Sequence, residues 1–149
     1  MKKITSLFTL IGFLACINSF AQVETIITYP GMPYDWFGSS VSIDIGPDGP
    51  EIIIGAPGKS TGIFPDITEK TGAAIIYELG ITSGNWEFRR YFAADYFDSR
   101  MGTSVSISHN IALSGAPGFP YSANPYQGAA YVFGKYNTWE IQSILTHEQ

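Results

Sequence analysis

The chain has 149 residues, 45% of them hydrophobic and 14% charged, with a formal charge of −5 and a single cysteine. That length allows one domain with a core of useful depth. An acidic chain is repelled by phosphate backbones and anionic membrane surfaces, which argues against nucleic acid as a partner.

The first residues read as an export signal. Lys2 and Lys3 precede an apolar stretch from Ile4 to Ile17, and Ser19-Phe20-Ala21 sets small residues at the two positions a signal peptidase reads. Residues 1–21 are expected to be a signal peptide cleaved before Gln22, placing the protein outside the cell or on its surface. An N-terminal anchor that stays uncleaved is one alternative, and acylation at Cys16 is another, since Phe13-Leu14-Ala15-Cys16 is an imperfect lipobox. Removing the leader takes Lys plus Arg from eight to six against thirteen Asp plus Glu, so the mature charge is −7. The mature chain holds no cysteine, so its core or a bound ion must hold it together. No later segment approaches the about 20 apolar residues of a membrane-spanning helix.

Residues 22–34 carry a short run with strand character, Val23 to Thr28, and a link. The first unit, residues 35–92, contains Ser40-Val41-Ser42-Ile43, where apolar and polar residues alternate as in a half-buried strand. Ile52-Ile53-Ile54-Gly55-Ala56-Pro57 follows, an apolar run stopped by a residue that fixes φ and lacks the N–H of a ladder. Gly72-Ala73-Ala74-Ile75-Ile76-Tyr77 and Trp86-Glu87-Phe88 complete the unit. The second unit, residues 93–146, returns the same four blocks in the same order: Met101-Gly102-Thr103-Ser104-Val105-Ser106-Ile107, Gly115-Ala116-Pro117, Gly128-Ala129-Ala130-Tyr131-Val132-Phe133 and Trp139-Glu140-Ile141. The offset shrinks from 64 (Gly38 to Gly102) through 60 (Gly55 to Gly115) and 56 (Gly72 to Gly128) to 53 (Trp86 to Trp139). Short deletions between blocks mark loops between strands. Each unit is therefore predicted to hold four short strands, in the size range of a propeller blade. Small residues at Gly72-Ala73 and Gly128-Ala129 are expected to let neighbouring strands approach closely.

Phe37-Gly38, Gly55-Ala56-Pro57, Gly72 to Tyr77, Trp86 and the second set together resemble the FG-GAP repeat family, which includes the integrin α-subunit head and many exported bacterial proteins. Met101 departs from the expected Phe and is a tolerable gap filler. The resemblance implies an all-β fold, two four-stranded blades of a β-propeller whose ring this chain alone does not close. It also implies that residues 22–34 form the closing strand of a last blade, and that residues 147–149 begin a continuation. The chain is thus expected to be the front of a longer protein with further blades, self-association of two-blade chains being the alternative.

The resemblance places a calcium loop between the first two strands, at Asp44 to Glu51. Asp44, Asp48 and Glu51 are the surviving oxygen ligands for Ca²⁺, while Pro47-Asp48-Gly49 is also a sufficient turn on its own. Ser108-His109-Asn110 is the tight hairpin expected in the second unit. The loops Gly58 to Thr71 and Gly118 to Gln127, with the links before each unit, carry Tyr29, Phe64 and the candidate ligand-binding residues Tyr34, Trp36, Tyr96, Phe97, Phe119, Tyr121 and Tyr126. Such an aromatic share suits a recognition surface, and aromatic rings equally fill gaps between blades. Phe37 is the packing position, which leaves Trp36 for the surface. No catalytic residue is expected. His109 and His147 lack metal spacing, no Gly-x-Ser-x-Gly elbow or P-loop occurs, and Asp95 and Asp98 read as a polar loop. The function expected is recognition or adhesion, binding an extracellular protein or carbohydrate through the loops. The alternatives are a scaffold for an enzyme domain outside this chain and a purely structural repeat.

Overall fold

The computed structural model describes residues 25–60, 70–121 and 126–147. They contain eight strands: β1 Ser40–Gly46, β2 Gly49–Ala56, β3 Ala73–Leu79, β4 Trp86–Ala93, β5 Ser104–Ser108, β6 Ile111–Ala116, β7 Ala129–Lys135 and β8 Trp139–Thr146. They pair antiparallel into two sheets, β1-β2-β3-β4 and β5-β6-β7-β8. These are two propeller-like blades, one per repeat, and they do not close into a ring. Among the described residues no helix is long and apolar enough to cross a membrane.

Local chemistry explains the strands. In β1, Val41, Ile43 and Ile45 stand on one face and Ser42 and Asp44 on the other, as a period of two requires. β5 repeats the pattern, and Ser108 pairs with Ile111 across a two-residue turn in which His109 takes φ 54°. Each blade has one irregularity at the same place. Ile76 pairs with Arg90 and Tyr77 with Phe88, so Arg89 is an extra residue on β4. Val132 and Phe133 leave out Gln142 of β8 in the same way. The bulge turns Arg89 to Glu78 and Glu87.

The main core lies between the blades. Ile53, Ala74, Ile76 and Phe92 of the first sheet meet Ile107, Ala112, Tyr131, Phe133 and Trp139 of the second, with Phe92 stacked on Phe133 at 4.3 Å. Met101 is fully buried there, as befits a gap filler. The close approach is set by glycine: a Cβ on Gly72 would stand 2.2 Å from the Met101 nitrogen, and the two residues bridge as parallel partners. A second cluster, Ile54, Ala56, Ala73, Ile75 and Tyr77, lies on the far face of the first sheet under Ile27 and Phe37. Residues 25–34 form no strand; residues 22–24 of the expected closing strand lie outside the described residues, and the last blade it would pair with is not among the two blades here. Instead of joining a ladder, Tyr29 stacks on Phe37 and Tyr91.

Because the strands are antiparallel, β1 starts, β2 ends, β3 starts and β4 ends at one end of the sheet, and β5 to β8 repeat this. The long loops and links therefore gather at a loop end. The short turns gather at the opposite, turn end.

Candidate functional site

At the loop end each blade is tied down by one buried residue. Asp35 is buried. Its carbonyl accepts the Gly58 N–H at 3.1 Å, and its Oδ2 accepts Met32 N–H at 2.9 Å and pairs with Lys59 Nζ at 3.0 Å. Ser99 holds the equivalent place, 64 residues on. Its carbonyl accepts Gly118 N–H at 3.1 Å, and its Oγ donates to the Tyr96 carbonyl at 2.7 Å. An anchor that points inward sends both neighbours outward. Tyr34 and Trp36 flank Asp35, and Asp98 and Arg100 flank Ser99, all four in the left-handed region with φ between 54° and 72°. Such conformations are costly for side chains of this kind and persist only where surrounding bonds fix them.

The exposed chemistry sits on these flanking residues. Trp36 is 50% exposed, and the Lys70 ammonium lies 4.3 Å from its ring centroid. The Lys70 carbonyl in turn accepts the Arg100 N–H at 3.4 Å, so the two blades meet beside Trp36. Tyr34, Tyr96, Phe97 and Tyr126 are also exposed. Phe119, read from sequence as a surface residue, is buried: it takes the place that Lys59 has in the first blade and packs edge-on against Tyr96 at 4.9 Å and Tyr131 at 6.0 Å. Tyr121 is half-buried, Tyr29 belongs to the aromatic stack on Phe37, and Phe64 lies outside the described residues. As expected from sequence, Phe37 packs inward while Trp36 faces solvent.

The turn end holds the acidic residues. Asp44 and Glu51 are cross-strand partners, yet their carboxylates take different partners. Asp44 Oδ2 accepts the His109 N–H at 2.8 Å. Glu51, fully buried, and exposed Asp48 each lie 2.9 Å from Lys135 Nζ, which is 2.7 Å from Glu78 as well. Trp139 Nε1 and Arg89 Nε also donate to Glu78, at 3.1 and 2.7 Å. Burial pushes the Glu51 carboxyl above its usual range, against the pull of Lys135. Burial also acts on Glu78, but the hydrogen bonds from Lys135, Arg89 and Trp139 outweigh it and hold that carboxyl below its usual range. Burial opposes the Lys135 charge, and the carboxylates of Glu78, Asp48 and Glu51 overcome it and raise its pKa. A cleft of about 370 Å³ opens beside the cluster, lined by Asp48, Glu78, Arg89, Lys135, Asn137, Thr138 and Trp139.

These residues do not fit a calcium loop. The ammonium of Lys135 stands at hydrogen-bond distance from two of the three proposed ligands, and the third is turned to the neighbouring blade. Among the described residues no group of three or more His, Cys, Asp or Glu side chains is arranged to hold a metal ion. Sequence reasoning passed over Lys135, although period two from Tyr131 and Phe133 sets it on their inward face. It also passed over Asp35 and Ser99, which the offset of 64 aligns. No protein-family model matches the chain, and no curated protein matches it.

Proposed function

We propose that this chain is an extracellular recognition module of the FG-GAP propeller type, binding a protein or glycan through its loop end. The observation that carries this reading is the arrangement around Asp35. A buried anchor with three bonds holds Tyr34 and Trp36 outward in a fixed backbone conformation. Large rigid rings presented this way give contact area without ordering cost on binding. Tyr96, Phe97 and Tyr126 extend the aromatic surface, and the resemblance of the repeats to exported propellers supplies the extracellular setting.

The test is a glycan and extracellular-matrix-protein array probed with the full chain, followed by titration of each hit. Tyr34→Ala and Trp36→Ala are expected to weaken binding at least tenfold, about 1.4 kcal/mol, while the thermal midpoint stays near that of the parent. Binding untouched by either substitution would remove the loop end from recognition.

A further inference from the structure

The joint between the two blades is written a second time on the surfaces that the blades leave open. In the joint, Ser40 Oγ donates to the Gly102 carbonyl at 2.7 Å, Ser42 Oγ accepts the Ile107 N–H at 3.1 Å, and Asp44 accepts the His109 N–H. The outer face of the second blade repeats the first set as Ser104, Ser106 and Ser108, all exposed. The outer face of the first blade repeats the second set: Gly38 for Gly102, and Ile43 and Ile45 for Ile107 and His109, on the edge strand β1.

Backbone shape is repeated too. Gly102 has φ 87°, and a Cβ there would stand 2.1 Å from the Ala73 carbonyl oxygen. Gly38 has φ 91°, and a Cβ there would meet no described atom within 4 Å. Gly72 is pressed against Met101, whereas a Cβ on its copy Gly128, at φ 85°, would meet no described atom nearer than the Pro117 carbonyl oxygen at 3.5 Å. Both flanks keep the bare backbone that the joint uses, and among the described residues the space that a Cβ would fill is open.

The side chains have changed in step. Where Glu51 and Glu78 meet Lys135 in the joint, the open second-blade face has Ile111 and Gly134, and the open first-blade face has Leu79. At these positions neither side carries a charge, so the place of the Lys135 cluster is taken by apolar residues and strands no ion there; the acid nearby, Glu140 beside Gly134, is exposed. Around it, Leu113, Val132 and Leu145 take the places of Ile53, Ile76 and Phe92, and Val41, Ile43 and Ile45 stand exposed opposite.

We propose that the second blade of one copy docks on the first blade of another, head to tail, continuing the internal joint. Such a heterologous contact closes when its rotation allows; propellers of about 4–8 blades correspond to two to four copies. Residues 27–29 lie over the outer part of the receiving face, where β4 lies in the internal joint, and must yield to β8 of the incoming copy. The Tyr29 stack on Phe37 and Tyr91 is therefore a competitor for the second copy.

Sedimentation velocity of the full chain and of Tyr29→Ala, over a concentration series, tests this. The expected result is a discrete species of two to four chains, with a larger share in Tyr29→Ala. Leu113→Lys and Ile43→Lys, on exposed positions of opposite flanks, should each run as single chains with unchanged β circular dichroism. Mixed, they have one intact joint between them and should form a pair and nothing larger. Folded single chains for both the parent and Tyr29→Ala would overturn the proposal and leave the flanks to further blades of a longer polypeptide. Polydisperse aggregate indifferent to either lysine would overturn it as well.

Discussion

At the turn end of the blades the buried ammonium of Lys135 is met by Asp48, Glu51 and Glu78, whereas at the loop end two small polar anchors are buried and large aromatic rings are left in solvent. The same eight strands support both. At the turn end the short connections bring opposite charges from different blades together, and the result is a lock between sheets. At the loop end Asp35 and Ser99 spend their hydrogen bonds on loop backbone, and what projects beyond them is free to meet something else. Exposure of Tyr34 and Trp36 thus follows from anchoring, not from poor packing.

The strongest way to break this contrast is to remove the lock. Lys135→Met leaves Glu51 buried without its cation, and breaking a buried pair from one side costs about 3–5 kcal/mol. A large fall in the thermal midpoint is expected, with partial recovery in Lys135→Met combined with Glu51→Gln, which removes the stranded charge. A midpoint within error of the parent would mean that the cluster contributes nothing to holding the blades together.

The fold was legible in the sequence because the repeat printed each strand twice. Gly72 and Gly128, then Trp86 and Trp139, recur in the same order, and the bulges at Arg89 and Gln142 keep the same distance from their Trp. The lock was not legible, because Lys135 lies 84 residues from Glu51 and only the docking of the sheets joins them. The anchors were hidden for a different reason. Asp35 and Ser99 share a place and a backbone bond but not a side chain, so matching by residue type passes over them. Phe119 read as surface because an aromatic ring in a loop carries no mark of which side it faces. Residues 25–34 read partly as strand because composition records the preference of a segment and not whether a ladder stands beside it.

Next in size are the loop anchors. Asp35→Ala leaves the Lys59 ammonium, only 15% exposed, without its carboxylate and removes the acceptor of the Met32 N–H. About 1–3 kcal/mol of stability should be lost. Ser99→Ala loses one hydrogen bond to Tyr96, worth about 1 kcal/mol. Chemical denaturation of both variants ranks them. The contrast between the ends sharpens if Asp35→Ala also weakens binding at Trp36, which it does not touch through its own side chain.

Smaller effects separate the two carboxylates of the lock by pH. Glu78 sits below its ordinary value of 4.5 in the folded chain, so its contribution is complete above 4.5 and fades as the pH falls through the folded value. Glu51 sits above 4.5, so the folded state binds its proton more readily, and its contribution grows as the pH falls through the raised value toward 4.5. Thermal midpoints across pH should therefore lose their acid limb in Glu78→Gln and lose the decline with rising pH above 4.5 in Glu51→Gln. Identical pH profiles in the two variants would contradict the assignment of separate environments to the two carboxyls.

The least effect, and the only one of opposite sign, belongs to Tyr131. Its ring is part of the core between the blades, between Phe119 and Phe133, yet its hydroxyl is buried with no hydrogen-bond partner among the described residues. Burial pushes the phenol up to about 12, as a hydroxyl held away from water should behave. The equivalent residue of the first blade is Ile75, fully buried and with no polar atom to satisfy. An unpaired buried hydroxyl costs the chain its solvation and returns no bond. Tyr131→Phe keeps the ring and removes that cost, so the chain should hold its stability or gain up to about 1 kcal/mol. A loss of that size would instead mean that the hydroxyl has a partner when the blades are assembled, and would make the core under the loop end polar like the turn end, not apolar like the first blade.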